Sequence, residues 1–243
     1  MTRERADRLL VDLGFFDSRA AARAAIEAGG VRADGRKVLR PAQKLAACAR
    51  IEAVPAHPFV SRGGVKLAHA ITAFGIEVTG RHCLDIGAST GGFSDVLVQA
   101  GACHVTAVDI GRDQFHGRLR ADKRITLHEG LDARRLEPAH MPAPPSLIVV
   151  DVSFISLAKL LAGPLSLGAA KSELIALFKP QFEVGRAHVG KGGLVRADAP
   201  VDEAAEALET WLAGAGWPVL AWTQSPLPGG DGNRERLLQA RRA

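Results

Sequence analysis

No stretch of this 243-residue chain is apolar over the length needed to cross a bilayer, although hydrophobic residues make up 47% of it. That excludes a helical membrane-spanning or pore-lining role. The N-terminus, Met1-Thr2-Arg3-Glu4-Arg5-Ala6-Asp7, is charged and lacks the apolar centre of a secretion signal, so a cytoplasmic protein is expected. Cysteine is scarce: Cys48, Cys83 and Cys103 are an odd number with no C-x-x-C pair, and two fall in predicted buried strands. Free core thiols are expected rather than a disulfide framework. Internal repeats, low-complexity tracts and a metal-ligand pattern are also missing.

A charge excess is nearly missing from most of the chain too. Residues 61–243 hold 20 Lys and Arg against 19 Asp and Glu, whereas residues 1–60 hold 11 against 7. Four of the five net positive charges therefore lie in the first quarter, which points to a small basic module joined to a near-neutral enzyme.

The basic quarter has its own pattern. Residues 5–14 carry apolar positions at helical spacing and stop at Gly14. Ser18 offers an N-cap to a second helix over 19–28, with Arg19 and Arg23 on one face. Residues 31–38 read as a hairpin turning at Asp34-Gly35, and residues 51–53 as a closing strand. Pro55 and Pro58 mark a linker, followed by a predicted helix over 65–74 with Lys66 in its first turn. A cation there faces the positive end of the helix dipole, so Lys66 either reaches outward or has a purpose.

From residue 81 strands and helices alternate regularly. The central run is Cys83-Leu84-Asp85-Ile86-Gly87-Ala88-Ser89-Thr90-Gly91-Gly92-Phe93. A strand ends in an acid and gives way to a loop of small residues that lets backbone approach a ligand. Its spacing is D-x-G-x-x-x-G, not the G-x-G-x-x-G that holds a dinucleotide pyrophosphate, so S-adenosyl-L-methionine fits better. Asp109, 24 residues after Asp85 at the tip of the next strand, suits the two ribose hydroxyls of an adenosyl group. Asp132, after a strand over 125–128, is placed either at an adenine edge or as a solvated loop acid. Two further buried strands end in chemistry: the run 147–154 carries Asp151 at its strand's C-terminal end, and 173–178 leads into Lys179. A lysine at a buried strand tip needs an acid or solvent, and Asp151 is the obvious partner. A final strand over 234–240 begins with Glu235.

Two resemblances follow from the order of these residues. Arg8-Leu9, Ser18-Arg19, Ala22, Ile26, Gly29/Gly30-Val31 and Asp34-Gly35 resemble the S-four type RNA-binding domain. Ala33-Asp34-Gly35 departs mildly from that family's usual Val-Asn-Gly. The candidate RNA contacts are Arg8, Arg19, Arg23, Arg36 and Lys37, drawn from the module's basic side chains. The glycine loop, Lys179-Pro180-Gln181-Phe182-Glu183, Asp151 to Leu157 and Gly190-Lys191-Gly192-Gly193 resemble the TlyA family. That family joins such a module to an FtsJ-like methyltransferase domain, and the resemblance spans nearly all of the chain.

The resemblance implies an α/β protein with a Rossmann-like, seven-stranded, mostly parallel class I methyltransferase sheet and a small N-terminal α+β domain. The expected division is 1–58 for RNA binding, 59–64 as linker and 65–243 for methyl transfer. It further implies S-adenosyl-L-methionine-dependent 2'-O-methylation of cytidine in ribosomal RNA, with ribosomal RNA or subunits as partner and no membrane or metal. Lys66, Asp151, Lys179 and Glu235 would be catalytic, and Asp85, Gly87, Ser89, Gly91, Asp109 and Asp132 would contact the cofactor. Lys179 would act as a neutral base or as a charged stabiliser. The competing readings are a non-catalytic RNA-binding or ribosome-assembly factor and, less favoured without a spanning segment, a haemolysin.

Overall fold

The computed structural model describes residues 3–243, so Met1 and Thr2 of the charged N-terminus lie outside the described residues. Contacts divide the chain into Met1–Pro58 and Phe59–Ala243.

The first unit contains β1 (Arg3–Arg5), α1 (Ala6–Asp12), α2 (Arg19–Glu27), β2 (Val31–Ala33), β3 (Arg36–Lys37), β4 (Lys44–Ala46) and β5 (Ile51–Ala53). Ser18 caps α2 as its side chain suggests, its Oγ accepting the Ala21 N–H at 3.2 Å. Asp34 and Gly35 both have positive φ, 49° and 75°, the turn whose twist matches the strands it joins. β2 pairs antiparallel with β3 and β5, and β1 pairs antiparallel with β4. The last pairing leaves no trace in the sequence, because Arg3-Glu4-Arg5 has no apolar alternation. Leu9, Leu10, Ala22, Ala25, Ile26 and Val31 form the core between the helices and β2.

The second unit opens with α3 (Arg62–Phe74), a turn earlier than the residue pattern predicts. Gly63 and Gly64 are poor helix formers, but packing overrides propensity: a Cβ on Gly64 would stand 2.5 Å from the Phe59 side chain. Residues 59–64, expected as a linker, are thus part of this unit, and the Val60 N–H donates to Asp95 Oδ2 at 2.8 Å. There follow β6 (His82–Ile86), α4 (Gly92–Gln99), β7 (His104–Asp109), α5 (Gly117–Arg120), β8 (Ile125–Glu129) and β9 (Leu147–Val150). The chain continues through α6 (Leu157–Ser166), β10 (Glu173–Phe178), α7 (Pro180–Glu183), α8 (Val201–Gly214), β11 (Val219–Gln224) and β12 (Arg236–Arg241).

The seven strands lie in the order β11-β12-β10-β9-β6-β7-β8. β8, β7, β6, β9 and β10 are parallel, and β12 runs antiparallel to both its neighbours. Both faces of the central strands β9 and β10 are buried, which is why these two read as continuous apolar runs. Along β9, Ile148 and Val150 join one core layer while Leu147 and Val149 join the other. From β6 the chain moves outward to β7 on one side, and β9 returns on the other. The C-terminal ends of β6 and β9 therefore flank a topological switch point, where open α/β sheets bind their ligands.

All three cysteines are free thiols as expected, but only Cys83 lies in the core, its thiol pushed up to about 12 by desolvation. Cys103 is exposed just before β7 rather than within it, and Cys48 is exposed as well. Among the described residues no helix is long and apolar enough to cross a membrane, and no group of three His, Cys, Asp or Glu side chains could hold a metal ion.

Candidate active site

At the switch point the chain passes from β6 into Gly87–Gly91, a loop shaped by what it touches. Gly87 has φ +85°, and a Cβ there would lie 2.3 Å from the Asp151 carbonyl oxygen. Gly91 has φ +93° and abuts Leu119 and Phe115. A side chain at Gly87 would push apart the loop and the β9 terminus, so the two candidate regions share a backbone contact.

Asp85 lies at the base of this loop, fully buried. Ser94 donates to its Oδ2 at 2.6 Å, while its Oδ1 has no hydrogen-bond partner. Desolvation pushes its pKa up to about 7, against the Ser94 bond and with help from the charges of Asp151 and Asp109. Its position is beneath the loop rather than at an open surface. Asp109 stands at the tip of β7, where Oδ2 accepts the Ser89 N–H at 2.8 Å and Oδ1 the Gly111 N–H at 2.6 Å. Ser89, at φ +46°, also donates through Oγ to Gln114 Oε1 at 3.3 Å. Asp132 is engaged differently: it caps a short 3-10 turn through the Arg134 N–H and pairs with the Arg134 guanidinium at 2.6 Å. That pairing lowers its pKa to about 2. The structure gives Asp132 the character of a local cap.

Beyond the ends of β9 and β10 the four sheet-end residues assemble as two ion pairs. Lys66, in the second turn of α3, points inward and forms a buried pair with Glu235, against the outward path open to it in the first turn. Lys179 Nζ lies 2.6 Å from Asp151 Oδ1 and donates to Ser153 Oγ at 3.1 Å. Glu235 precedes β12 instead of starting it. Its pKa is raised by burial, opposed first by Lys66 and also by Lys179, and raised further by Asp151. The other three groups thus all act on Glu235. A Cβ added at Gly63, in the first turn of α3, would stand 3.6 Å from Asp151 Oδ2, so the start of this helix runs close to the Lys179–Asp151 pair.

Several neighbours gain a role only from their placement: Phe154, Phe182 and Glu183 lie within the sequence motifs without a role assigned to them, and Ile110 lies outside those motifs. Ile110 is 74% exposed directly after Asp109, an apolar surface beside a polar anchor. Phe154 is 92% exposed at φ +68°, its ring 5.3 Å from that of Phe182. A bulky residue in the left-handed region is a strained arrangement, and strain of this kind gathers at functional sites. Glu183 Oε1 accepts the Leu157 N–H at 2.9 Å, tying the segment after Lys179 to the segment after Asp151. By composition these acids and aromatics would be ordinary loop residues, and only their placement singles them out.

A glycine loop at the switch point, a carboxylate at the tip of β7 and an antiparallel seventh strand define a protein of the class I S-adenosylmethionine-dependent methyltransferase fold. A family model described as FtsJ-like methyltransferase matches residues 59–242, and an S4 domain model matches residues 4–51. The chain belongs to the FtsJ-like methyltransferase family, as a TlyA-type member with an N-terminal S4 domain. It is 40% identical over 241 residues to the 16S/23S rRNA (cytidine-2'-O)-methyltransferase TlyA of Mycobacterium tuberculosis, covering 98% of this chain and 90% of that protein. Hemolysin A of Brachyspira hyodysenteriae is 38% identical over 236 residues, covering 96% and 98%. A solved structure of a hemolysin-named protein from Streptococcus thermophilus superposes with a TM-score of 0.77 at 35% identity, covering 100% of this chain and 90% of that one.

Proposed function

We propose that this protein methylates the 2'-hydroxyl of cytidine in ribosomal RNA with S-adenosyl-L-methionine as donor, and does so in the cytoplasm. The observation that carries the reading is the doubled ion pair, Lys66–Glu235 and Lys179–Asp151, standing against a loop suited to an adenosyl cofactor.

The cofactor reading rests on fit. Asp109 offers two carboxylate oxygens at the tip of β7, suited to a ribose diol, with Ile110 exposed beside them for an adenine face. Asp85 has an unpartnered buried oxygen below the loop, a polar group that a bound ligand or water can satisfy. Gly87, Ser89 and Gly91 hold the loop backbone in place. When bound, S-adenosyl-L-methionine supplies an electrophilic methyl group on sulfonium.

The chain's own residues must then make a ribose hydroxyl nucleophilic. A 2'-hydroxyl is a weak nucleophile at neutral pH and has to lose its proton during attack. Lys179 is the group that meets that oxygen: as a neutral amine it takes the hydroxyl proton, and as an ammonium it stabilises the developing charge while the proton passes to solvent. Asp151 holds its nitrogen in direction in either case. Ser153 fixes a second bond of Lys179, so the nitrogen is positioned before substrate arrives. Lys66 and Glu235 keep the floor of the site polar and charge-balanced. Phe154 and Phe182 offer an aromatic face near Lys179 on which an unpaired base can stack.

The test is methyl transfer to ribosomal subunits isolated from cells lacking the protein, with the modified nucleotide mapped. Lys179→Ala is expected to bind cofactor normally and to lose activity by about 10²-fold, the usual scale for removing such a group. Near wild-type turnover refutes the role. Wild-type protein that binds ribosomal RNA but transfers no methyl group favours the assembly-factor reading instead.

A further inference from the structure

Three arginines of the first unit converge on one carboxylate. Asp7 is fully buried, and Arg5 grips it with two bonds, Nε to Oδ1 at 3.0 Å and Nη2 to Oδ2 at 3.1 Å. Arg19 and Arg23 each reach Oδ2 through a single nitrogen, at 2.7 and 3.3 Å. A guanidinium has five N–H donors, so these two keep most of theirs, and both side chains are 52% exposed.

Their place on α2 makes the arrangement unusual. Arg19 is the first residue of the helix and Arg23 lies one turn on, where the dipole disfavours cations, and α2 has no acid in its first turn. Asp7, from α1, supplies the missing anion from below. The Arg5 bonds, followed by those of Arg19 and Arg23, hold its carboxyl far below the usual range, so it stays ionised at any physiological pH. A charge buried this completely is a poor route to stability alone, since apolar replacements of buried ion clusters are often neutral or better. The cluster leaves an excess of two positive charges, carried by the two half-exposed guanidiniums.

We propose that Asp7 is a positioning residue for RNA binding: it pre-orders Arg19 and Arg23 as a paired phosphate-binding site on the first turns of α2. The inference rests on the reading that this unit binds ribosomal RNA. Long side chains fixed before binding lose less freedom when they meet phosphate, and a planar fork loses less than a flexible ammonium.

The experiment measures binding of the full-length protein to purified ribosomal RNA over a salt series, with thermal melting of every variant. Arg19→Ala with Arg23→Ala is expected to weaken binding and to reduce the salt slope by roughly 0.7–0.9 for each phosphate no longer neutralised. Asp7→Asn raises the net charge by one, which on electrostatics alone should tighten binding to a polyanion. Positioning predicts the opposite, a loss of about tenfold with the same reduction in slope. A folded Asp7→Asn protein that binds as tightly as wild type, or more tightly, overturns the inference. Unchanged binding by the double arginine variant removes the RNA-binding reading of this face, a separate failure that takes the inference with it. Should Asp7→Asn unfold the unit, ¹⁵N-arginine NMR of RNA-free wild-type protein decides: restricted Arg19 and Arg23 guanidiniums support the inference, and freely rotating ones overturn it.

Discussion

Removing Lys66 strands a carboxylate, and the structure sets both the size and the pH dependence of the result. The side chains of Lys66 and Glu235 are 8% and 2% exposed, so in Lys66→Met the Glu235 carboxylate keeps its burial and loses its direct partner. A lone buried charge costs several kcal/mol, but the group can escape by taking a proton. From the ordinary carboxyl value of 4.5, protonation at pH 7 costs about 3.4 kcal/mol, at 1.36 kcal/mol per pH unit, and this caps the loss. At pH 5.5 the cap falls to about 1.4 kcal/mol. The sign follows from proton binding: with its folded pKa above its unfolded one, Glu235 holds more protons when folded, so the variant's stability falls as pH rises above 4.5. Denaturant unfolding of wild type and Lys66→Met between pH 5 and 8 should therefore show a gap that widens with pH. The double variant Lys66→Met/Glu235→Met should recover most of the stability at pH 7 yet remain inactive in methyl transfer. A gap independent of pH, or an active double variant, refutes the argument that this pair is a functional ionic element.

Gly87→Ala should lower both cofactor affinity and turnover, because the added methyl meets the Asp151 carbonyl and the left-handed backbone adds about 1–2 kcal/mol of strain; calorimetric cofactor binding beside a single-turnover assay measures both. Asp85→Asn should flatten the pH dependence of stability, since an aspartate raised from 3.8 to about 7 progressively loses stabilisation as pH climbs between those values; paired unfolding curves at pH 4 and 7 check it. Glu183→Ala should reduce turnover several-fold with cofactor binding intact, because it frees Leu157 from α7 and loosens the segments that carry Asp151 and Lys179. Deleting residues 1–58 should abolish methylation of ribosomal substrate while cofactor still binds, as read by equilibrium dialysis and methyl transfer.

The sheet was legible wherever burial on both faces wrote an uninterrupted apolar run, as in Leu147–Val150 and Glu173–Phe178, and the turn at Asp34-Gly35 was legible from its backbone demands. Lys66 was harder. Its partner is 169 residues away, and local rules treat a lysine near a helix start as a solvated nuisance. α3 begins at Arg62, so Lys66 falls in its second turn on the buried face that meets Glu235, which local rules about a helix start do not anticipate. Phe154 was in view as part of the Asp151–Leu157 motif, but its exposure was not, since an aromatic following a buried strand predicts core, whereas here, at positive φ, it lies out in solvent. Asp132 was legible as a strand-end acid, but its pairing with the Arg134 turn that follows it was not, because local position does not reveal a side-chain partner.

The spacing D-x-G-x-x-x-G now has a mechanical meaning beyond the choice of cofactor. Each glycine with positive φ in the loop answers a different neighbour: Gly87 the Asp151 carbonyl, Gly91 the side chains of Leu119 and Phe115. The first contact joins the Gly87–Gly91 loop to the backbone that carries the Lys179 partner, and the second seats the same loop on the small core beneath β7. Because packed backbone transmits displacement rather than absorbing it, the loop and the Lys179–Asp151 pair should move together. A substitution at Gly87 must therefore disturb chemistry as well as binding, whereas one at Asp109, whose oxygens hold only Ser89 and Gly111, should disturb binding alone.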